Sequence, residues 1–316
     1  MKKRILAILI SVALIILSVA TFASCDAFKK LSEGLEFTSN GNRTCYVSGI
    51  GTCTDLDIII PSKSPAGDTV TSIGSFAFYG CSSLTSIEIP EGVTSIEYDA
   101  FDGCSSLTSI EIPASVTSIE GSAFGGCSSL NYNTYGNAKY LGNKSNPYFA
   151  LIEANYKNIT SCVIHPKTNI IATGAFLDCS SLTSIEIPAS VTSIGGGAFD
   201  GCCFLTSIEI PEGVTNIGSF AFYGCSSLTS IEIPEGVTRI GKGAFEWCSS
   251  LTIIEIPDGV TSIGDEAFEW CSFLTSINYN GTKAQWNSIS KGSSWNKNTG
   301  NYTVYCTDEN ISKSDS

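Results

Sequence analysis

The cysteines are the most numerous reactive side chains in this sequence, and their spacing limits the chemistry they can do. Fourteen occur in 316 residues. Within two series, Cys81 to Cys127 and Cys179 to Cys271, one cysteine recurs every 23 residues. If each interval is one coil of a stack, parallel side chains in neighbouring coils lie about 5 Å apart, beyond the ~3.8 Å between the Cβ atoms of a disulfide. The spacing therefore predicts buried free thiols that pack in a core.

Two further cysteines lie outside these series. Cys45 and Cys53 flank the segment Ser48-Gly49-Ile50-Gly51, which is typical of a turn between two strands. As cross-strand neighbours in such a hairpin, the pair is compatible with a disulfide and also with two free thiols.

His165 is the only histidine, and it stands where other repeats have the proline that ends a strand. We interpret it as a turn residue rather than a general base. The sequence contains no Cys-His pair, zinc-binding cluster, glycine-rich phosphate loop or nucleophile elbow. These features favour a protein that is not an enzyme and needs no cofactor or metal.

A carboxylate recurs at one outward strand position of the repeat. Neighbouring copies should lie about 5 Å apart, at a cost on the order of 1 kcal/mol per pair in water. Two interpretations fit: a solvated acidic face, or a site for a basic partner or for divalent cations such as Ca²⁺. The residues are Glu88, Glu111, Glu186, Glu209, Glu232 and Glu255.

Aromatic residues mark two departures from the repeat. Trp247 and Trp270 replace the glycine that precedes the cysteine in five other repeats. They fit either a stacking platform for a sugar or a partner side chain, or packing against a C-terminal lid. An irregular stretch is rich in aromatic residues that fit a second candidate surface or a local core. They are Tyr132, Tyr135, Tyr140, Tyr148, Phe149 and Tyr156.

The elements that position these residues follow from one repeat. Leu84 to Ile89 fits the pattern L-x-x-L-x-L, in which Ile87 and Ile89 alternate with polar residues as in a short parallel strand. Pro90 ends the strand, and Phe78, Cys81 and Leu84 suit a tight helical turn. A period of 23 residues therefore predicts an α/β solenoid of leucine-rich-repeat type, with parallel strands and protective caps at both ends.

The same pattern divides the chain into segments. We expect a signal peptide at 1–24, an N-terminal anchor and hairpin cap at 25–56, and repeats at 57–130. A degenerate coil follows at 131–160, then repeats at 161–280 and a C-terminal cap and tail at 281–316. In the last segment, Thr282 to Gln285 matches a capping box before Trp286 and Ile289, and Tyr302 to Cys306 reads as a strand.

The first 24 residues have the order of an export signal, because Lys2, Lys3 and Arg4 precede an apolar run. Phe22-Ala23-Ser24-Cys25 resembles a bacterial lipobox, although a lipobox usually has Leu where Phe22 stands. Lipidation of Cys25, ordinary cleavage and an uncleaved membrane helix are the alternatives. Without this segment, 14 Lys and Arg remain against 30 Asp and Glu, a net charge of -16 that repels nucleic acid.

Three stretches, "IPEGVTSIGxxAFxxCSSLTSIEI", "YLGNKSNPYFALIEA" and "GTKAQWNSI", together resemble the BspA-type leucine-rich-repeat surface proteins. The resemblance covers nearly all of the mature chain. It implies an exported protein, often at the cell surface, whose relatives are associated with adhesion and protein binding. It implies no particular ligand, because the matching positions belong to the scaffold.

We therefore expect a non-catalytic protein, anchored at a bacterial cell surface, that binds a protein or extracellular-matrix ligand. A glycan-binding module that uses Trp247 and Trp270 is the alternative, and a hydrolase is a distant third. Contact with a membrane is expected only through a lipid anchor.

Overall fold

A computed structural model describes residues 30–315, and in this range the chain winds into a β-solenoid of about 11 turns, with coils of about 23 residues. Parallel strands stack coil upon coil in two ladders, and the apolar side chains lie between them. The predicted signal peptide and Cys25 lie outside the described residues.

The strands are short because most coils contribute only two to four residues to each ladder. In the first half they are β1 Glu36–Gly41, β2 Thr44–Gly49, β3 Asp57–Ile59, β4 Thr69–Ile73, β5 Ser86–Glu88, β6 Ser95–Ile96, β7 Ser109–Glu111, β8 Ser118–Ile119, β9 Asn133–Tyr135, β10 Ala138–Leu141, β11 Ala150–Ala154 and β12 Ser161–Val163. In the second half they are β13 Ile170–Ile171, β14 Ser184–Glu186, β15 Ser193–Ile194, β16 Asn216–Ile217, β17 Ser230–Glu232, β18 Arg239–Ile240, β19 Ile253–Ile256, β20 Ser262–Ile263, β21 Ser276–Tyr279, β22 Ser290–Lys291, β23 Thr303–Tyr305 and β24 Asn310–Ser312.

The first ladder is formed by the Ser-Ile-Glu strands. In β5 and β7, Ile87 pairs with Ile110 and both side chains are buried. The serine and glutamate on either side point outward, as period-two alternation requires. Threonines reinforce the stack, since Thr108 Oγ1 donates to the carbonyl oxygen of Thr85, 23 residues earlier, at 3.1 Å. The strand assignment made from L-x-x-L-x-L is thereby confirmed.

Phenylalanine rings form a column inside the coils. Phe176, Phe199 and Phe222 stack at 5.3 Å between ring centroids, with interplanar angles of 3° and 4°. A turn follows each ring, in which the N–H of Cys81 donates to Phe78 and that of Leu84 donates to Cys81. This is the predicted tight turn, and the buried position of its cysteines is confirmed for most coils, although Cys81 is only half-buried.

The helical part of the predicted α/β class is not confirmed. The described residues contain a single α-helix, α1 Lys283–Ser288, and a 3₁₀ turn at Lys313–Asp315. The turn after each phenylalanine is too short to continue as a helix, because the chain must return to the next strand within a few residues. The architecture is better described as a β-solenoid.

The predicted N-terminal hairpin is wrong in its pairing. β2 pairs antiparallel with β1, which precedes it, and the turn between them contains Asn42 and Arg43, both with positive φ. Such a turn matches the twist of a hairpin. Cys45 lies in β2 and Cys53 lies in a loop, so the two are not cross-strand neighbours, and both are buried free thiols.

The irregular coil at 131–160 interrupts both ladders. β9, β10 and β11 form an antiparallel meander, and β11 then pairs in parallel with β13 through Ala150 and Ile170. The register resumes in β12, where Cys162 is buried opposite Ile185. Cys162 therefore takes the position that isoleucine has in the neighbouring strand.

The C-terminal region contains the predicted capping box. Thr282 caps α1 together with Gln285, and the side chain of Trp286, a residue of this helix, is buried. β23 is the predicted strand, it continues the first ladder, and β24 adds an antiparallel strand that the sequence did not indicate. The capping role of the two ends of the solenoid stays a prediction. Within residues 30–315, no helix has the length and apolar character needed to cross a membrane.

Candidate functional site

The predicted glutamates lie along one side of the first ladder, and we call this surface the acidic strand face. Five of the six lie in strands, as predicted, whereas Glu209 lies in a segment that forms no strand. All six side chains are exposed. Glu88 is in register with Glu111, and Glu232 is in register with Glu255. In the preceding strand, β12, the residue paired with Glu186 is Val163 and not a glutamate. The row of carboxylates is therefore interrupted at the irregular coil. The residues of the face are Glu88, Glu111, Glu186, Glu209, Glu232 and Glu255.

The acidic strand face offers no preformed cage for a cation. In the described part of the chain, no group of three or more His, Cys, Asp or Glu side chains could hold a metal ion. One lysine does reach the row, since Lys144 Nζ lies 3.5 Å from Glu111 Oε1. Ca²⁺ takes six to eight oxygen ligands, more than the two carboxylates of one in-register pair supply.

Trp247 and Trp270 stack on each other at the surface. Their ring centroids are 4.8 Å apart, with 13° between the ring planes. The side chains remain 41% and 39% exposed. Trp270 contacts the C-terminal region through its backbone N–H, which donates to Lys297. The aromatic residues of that region, Trp286 and Trp295, lie in the core instead.

The backbone of the tryptophan pair is strained. Trp247 and Trp270 have φ of 62° and 63°, where the preceding coils have glycine, such as Gly201 and Gly224 with φ of 73° and 66°. A side chain in this left-handed region costs roughly 1–2 kcal/mol relative to glycine. Stacking of the indoles compensates for part of that cost, since an aromatic pair contributes about 0.5–1.5 kcal/mol.

His165 lies in an aromatic cluster of the irregular coil. Its ring stacks on Tyr148 at 3.9 Å and meets the edge of Tyr135 at 4.8 Å. The N–H of Lys167 donates to Nδ1 at 3.1 Å, and the carbonyl of His165 closes a turn to Thr168. Desolvation, with a smaller effect of the Lys167 charge, lowers the pKa of His165. The histidine thus occupies the turn position of the missing proline, as predicted.

The tyrosines of the irregular coil divide between core and surface. Tyr140 is buried, Tyr148 is half-buried, and Tyr156 is 69% exposed. Burial raises the pKa of Tyr140 and of Tyr132. Most of the cluster is therefore local core for the widened coil, which was one of the two interpretations.

Sequence reasoning missed a cleft that opens where the irregular coil has no phenylalanine-cysteine turn. The cavity has a volume of about 1070 Å³ and lies between the turn at 121–127 and the turn at 172–177. Tyr98 and Phe220 stand at its rim. The signal was the 52-residue gap between Cys127 and Cys179, but it could not show that a space remains there.

The chain was compared with known proteins. The profile described as the BspA type leucine-rich repeat region matches residues 62–146, 149–275 and 192–313, with six copies. A search of curated proteins finds no match.

Solved structures of bacterial leucine-rich repeat proteins are similar to the chain. One from Bacteroides ovatus is 27% identical, covers 88% of this chain and 72% of its own, and has a TM-score of 0.46. One from T. pallidum is 26% identical, covers 71% and 91%, and has a TM-score of 0.36. A leucine-rich cell-surface protein from Faecalibacterium prausnitzii is 23% identical, covers 84% and 98%, and has a TM-score of 0.33.

The profile matches far more than half of the chain, and its six copies agree with the 23-residue coils of the solenoid. This chain belongs to the BspA-type leucine-rich repeat family.

Proposed function

We propose that this protein binds other macromolecules without catalysing a reaction, and that it uses its acidic strand face to do so. The partner is a protein or an extracellular-matrix ligand with a basic surface. The observation that carries the proposal is the pairing of Glu232 with Glu255, two exposed carboxylates in register on neighbouring strands.

Like charges held this close make the free protein less stable, by about 1 kcal/mol per pair in water before screening. A basic partner would relieve that repulsion on binding. It would also be attracted over a longer range, because the mature chain has a net charge of -16. Rim charges of this kind act mainly on the association rate and on its salt dependence.

A pull-down from extracellular or host-cell material identifies a partner, and two double variants then test the face. Glu232→Gln with Glu255→Gln should weaken binding and flatten its salt dependence, with a melting temperature the same or higher. Glu91→Gln with Glu212→Gln is the matched control, because these carboxylates are exposed in turns and lie outside the strand ladders. Binding that survives the first pair unchanged would show that the partner docks elsewhere.

A glycan-binding function is the second candidate, and it is favoured by the exposed stack of Trp247 on Trp270. The equivalent residue of the preceding coil is Gly224, which has no side chain that could stack on Trp247. A sugar ring could stack there. A glycan-array signal should then be lost in Trp247→Ala with Trp270→Ala. It should be kept in Phe204→Ala with Phe273→Ala, which removes two other exposed rings.

Export and anchoring are also part of the proposal. Residues 1–24 act as the signal peptide, and a lipid on Cys25 holds the protein at a bacterial membrane. The native protein should then partition into detergent, and Cys25→Ser should release it or block its maturation. An unlipidated mature protein would show that the signal is of the ordinary kind.

A further inference from the structure

The turns of neighbouring regular coils are joined by three backbone hydrogen bonds. In the coil that contains Phe101, the N–H groups of Asp99, Phe101 and Gly103 donate to three carbonyl oxygens of the next turn, at 2.8–3.2 Å. The acceptors are those of Gly121, Ala123 and Gly125. Each turn therefore donates hydrogen bonds to the carbonyl oxygens of every second residue in the next turn.

This ladder stops at the following coil. By the same register, the donors there are the N–H groups of Ser122, Phe124 and Gly126, and in the described part of the chain none of them has a protein acceptor. In the regular repeat, the acceptors would come from the turn of the next coil. The irregular coil has no such turn, because it passes from β11 to β12 through a shorter segment. The three donors therefore line one wall of the cleft.

Two acceptors of the opposite turn are already satisfied. There the carbonyl oxygen of Ala175 accepts from the N–H of Ala154 at 2.8 Å, and that of Leu177 accepts from Lys157 Nζ at 2.5 Å. The irregular coil thus satisfies two of the three acceptors on the far turn, all but the carbonyl oxygen of Thr173 among the described residues, and none of the three donors on the near one. The cleft is left with donors to offer, and its complement is a ligand with acceptors.

Most charged groups of the cleft are engaged by other groups of the protein. Lys139 Nζ lies 2.7 Å from Glu153 Oε1, and Glu120 Oε2 accepts from Thr173 Oγ1 at 3.0 Å. Asp200 adds a further carboxylate to the lining. An anionic ligand therefore finds no cluster of available cations here. The two rim aromatics, Tyr98 (52% exposed) and Phe220, offer apolar contact instead.

The geometry points to a peptide-binding cleft, in which a segment of a partner protein takes the place of the missing turn. Its alternate carbonyl groups accept hydrogen bonds from Ser122, Phe124 and Gly126, and its side chains pack against Tyr98 and Phe220. The mode resembles the addition of a strand to an open sheet edge, where main-chain hydrogen bonds give affinity and side-chain pockets give selectivity. This site lies on the turn side of the solenoid and does not depend on the acidic strand face.

Short random peptides displayed on phage provide the probe. Selection against the protein, with counter-selection against Tyr98→Ala with Phe220→Ala, should recover peptides that bind the double variant about tenfold more weakly or worse. Tyr79→Ala with Tyr223→Ala is the matched control, because it removes two aromatic side chains of the regular turns that do not line the cleft. Glu232→Gln with Glu255→Gln should also leave peptide binding unchanged, which separates this site from the proposed function.

Amide hydrogen exchange, followed by NMR on the labelled protein, tests the donors directly. Without peptide, the amides of Ser122, Phe124 and Gly126 should exchange faster than those of Asp99, Phe101 and Gly103. A selected peptide should protect the first three and leave the second three unchanged. The inference is overturned if no cleft-dependent peptide is recovered, or if bound peptide leaves the three amides unprotected. Protection that appears on raising the protein concentration alone would overturn it too, since a second copy would then be the occupant.

Discussion

The thiol of Cys248 donates a hydrogen bond to the carbonyl oxygen of Phe222, with 3.1 Å between Sγ and the oxygen. The same bond joins Cys104 to Phe78 and Cys271 to Phe245. Each cysteine therefore ties its own coil to the preceding one while it fills core volume. A thiol suits this position because it is a weak donor that costs little to bury.

Burial also makes these thiols unreactive. Desolvation raises the pKa of Cys104 to about 12 and that of Cys127 to about 11. Since the thiolate is the nucleophile, well under one thiol in a hundred is ionised at pH 8. Iodoacetamide should therefore modify the half-buried Cys81, Cys203 and Cys306 first, and the buried cysteines only on unfolding. Peptide mass spectrometry over time measures the order of modification. Four or more disulfides in protein prepared without reductant would contradict the prediction that the buried cysteines are free thiols.

Truncation of one phenylalanine in the stacked column should greatly lower the free energy of unfolding. Phe199 is fully buried between the rings of Phe176 and Phe222. Phe199→Ala should lower the free energy of unfolding by roughly 3–5 kcal/mol, as for other large core truncations. Phe204→Ala, at a side chain that is 60% exposed, is the control and should change it by less than about 0.5 kcal/mol. Urea unfolding measures both, and similar values for the two variants would argue against a continuous ring column.

The sequence predicts the regular coils well because one residue pattern is copied many times. Residues equivalent to Phe199 and Glu232 recur at a fixed interval, so each copy supports the same assignment of strand and turn. The pairing of β1 with β2 was missed, although Asn42 and the preceding glycine are typical of a tight hairpin turn. The cleft could not be predicted, because the free donor at Phe124 depends on how the irregular coil packs in three dimensions.

His165 offers a titration that is free of overlap, because it is the only histidine in the chain. Its pKa is lowered in the folded protein, chiefly by desolvation among the tyrosine rings. The unfolded chain therefore takes up a proton at higher pH than the folded one. The contribution of His165 to stability is present above the unfolded-state pKa of about 6.5, and it is lost as the pH falls through the folded-state pKa.

An NMR titration of the His165 ring should give a pKa below 6.5. Tyr148→Ala should raise it toward 6.5, since the ring that stacks on His165 is removed. Tyr156→Ala is the control, because Tyr156 makes no ring contact with His165 among the described residues and is 69% exposed. An unchanged pKa in Tyr148→Ala would show that the stacking ring is not the source of the desolvation.

The positive φ of Trp247 predicts the sign of the difference in stability between its glycine and alanine variants. At an ordinary position, glycine is less stable than alanine by roughly 0.5–1 kcal/mol, because it has more backbone freedom to lose on folding. At φ of 62° the order should reverse, since alanine pays the steric cost of the left-handed region and glycine does not. Both variants lose the stack on Trp270, so the difference between them isolates the backbone. Trp247→Gly should therefore unfold at a higher urea concentration than Trp247→Ala, by about 1 kcal/mol in free energy.

Ser249, two residues further along the same turn, supplies the comparison because its φ is not positive. Ser249→Gly should be less stable than Ser249→Ala, the opposite order. If glycine and alanine rank in the same way at both positions, the strain at Trp247 is not real. If the order reverses as expected, the coil keeps an indole where a glycine would be easier to fold. Strained backbone positions cluster at functional sites, and here the strain lies beneath the exposed stack that the second proposed function assigns to a sugar.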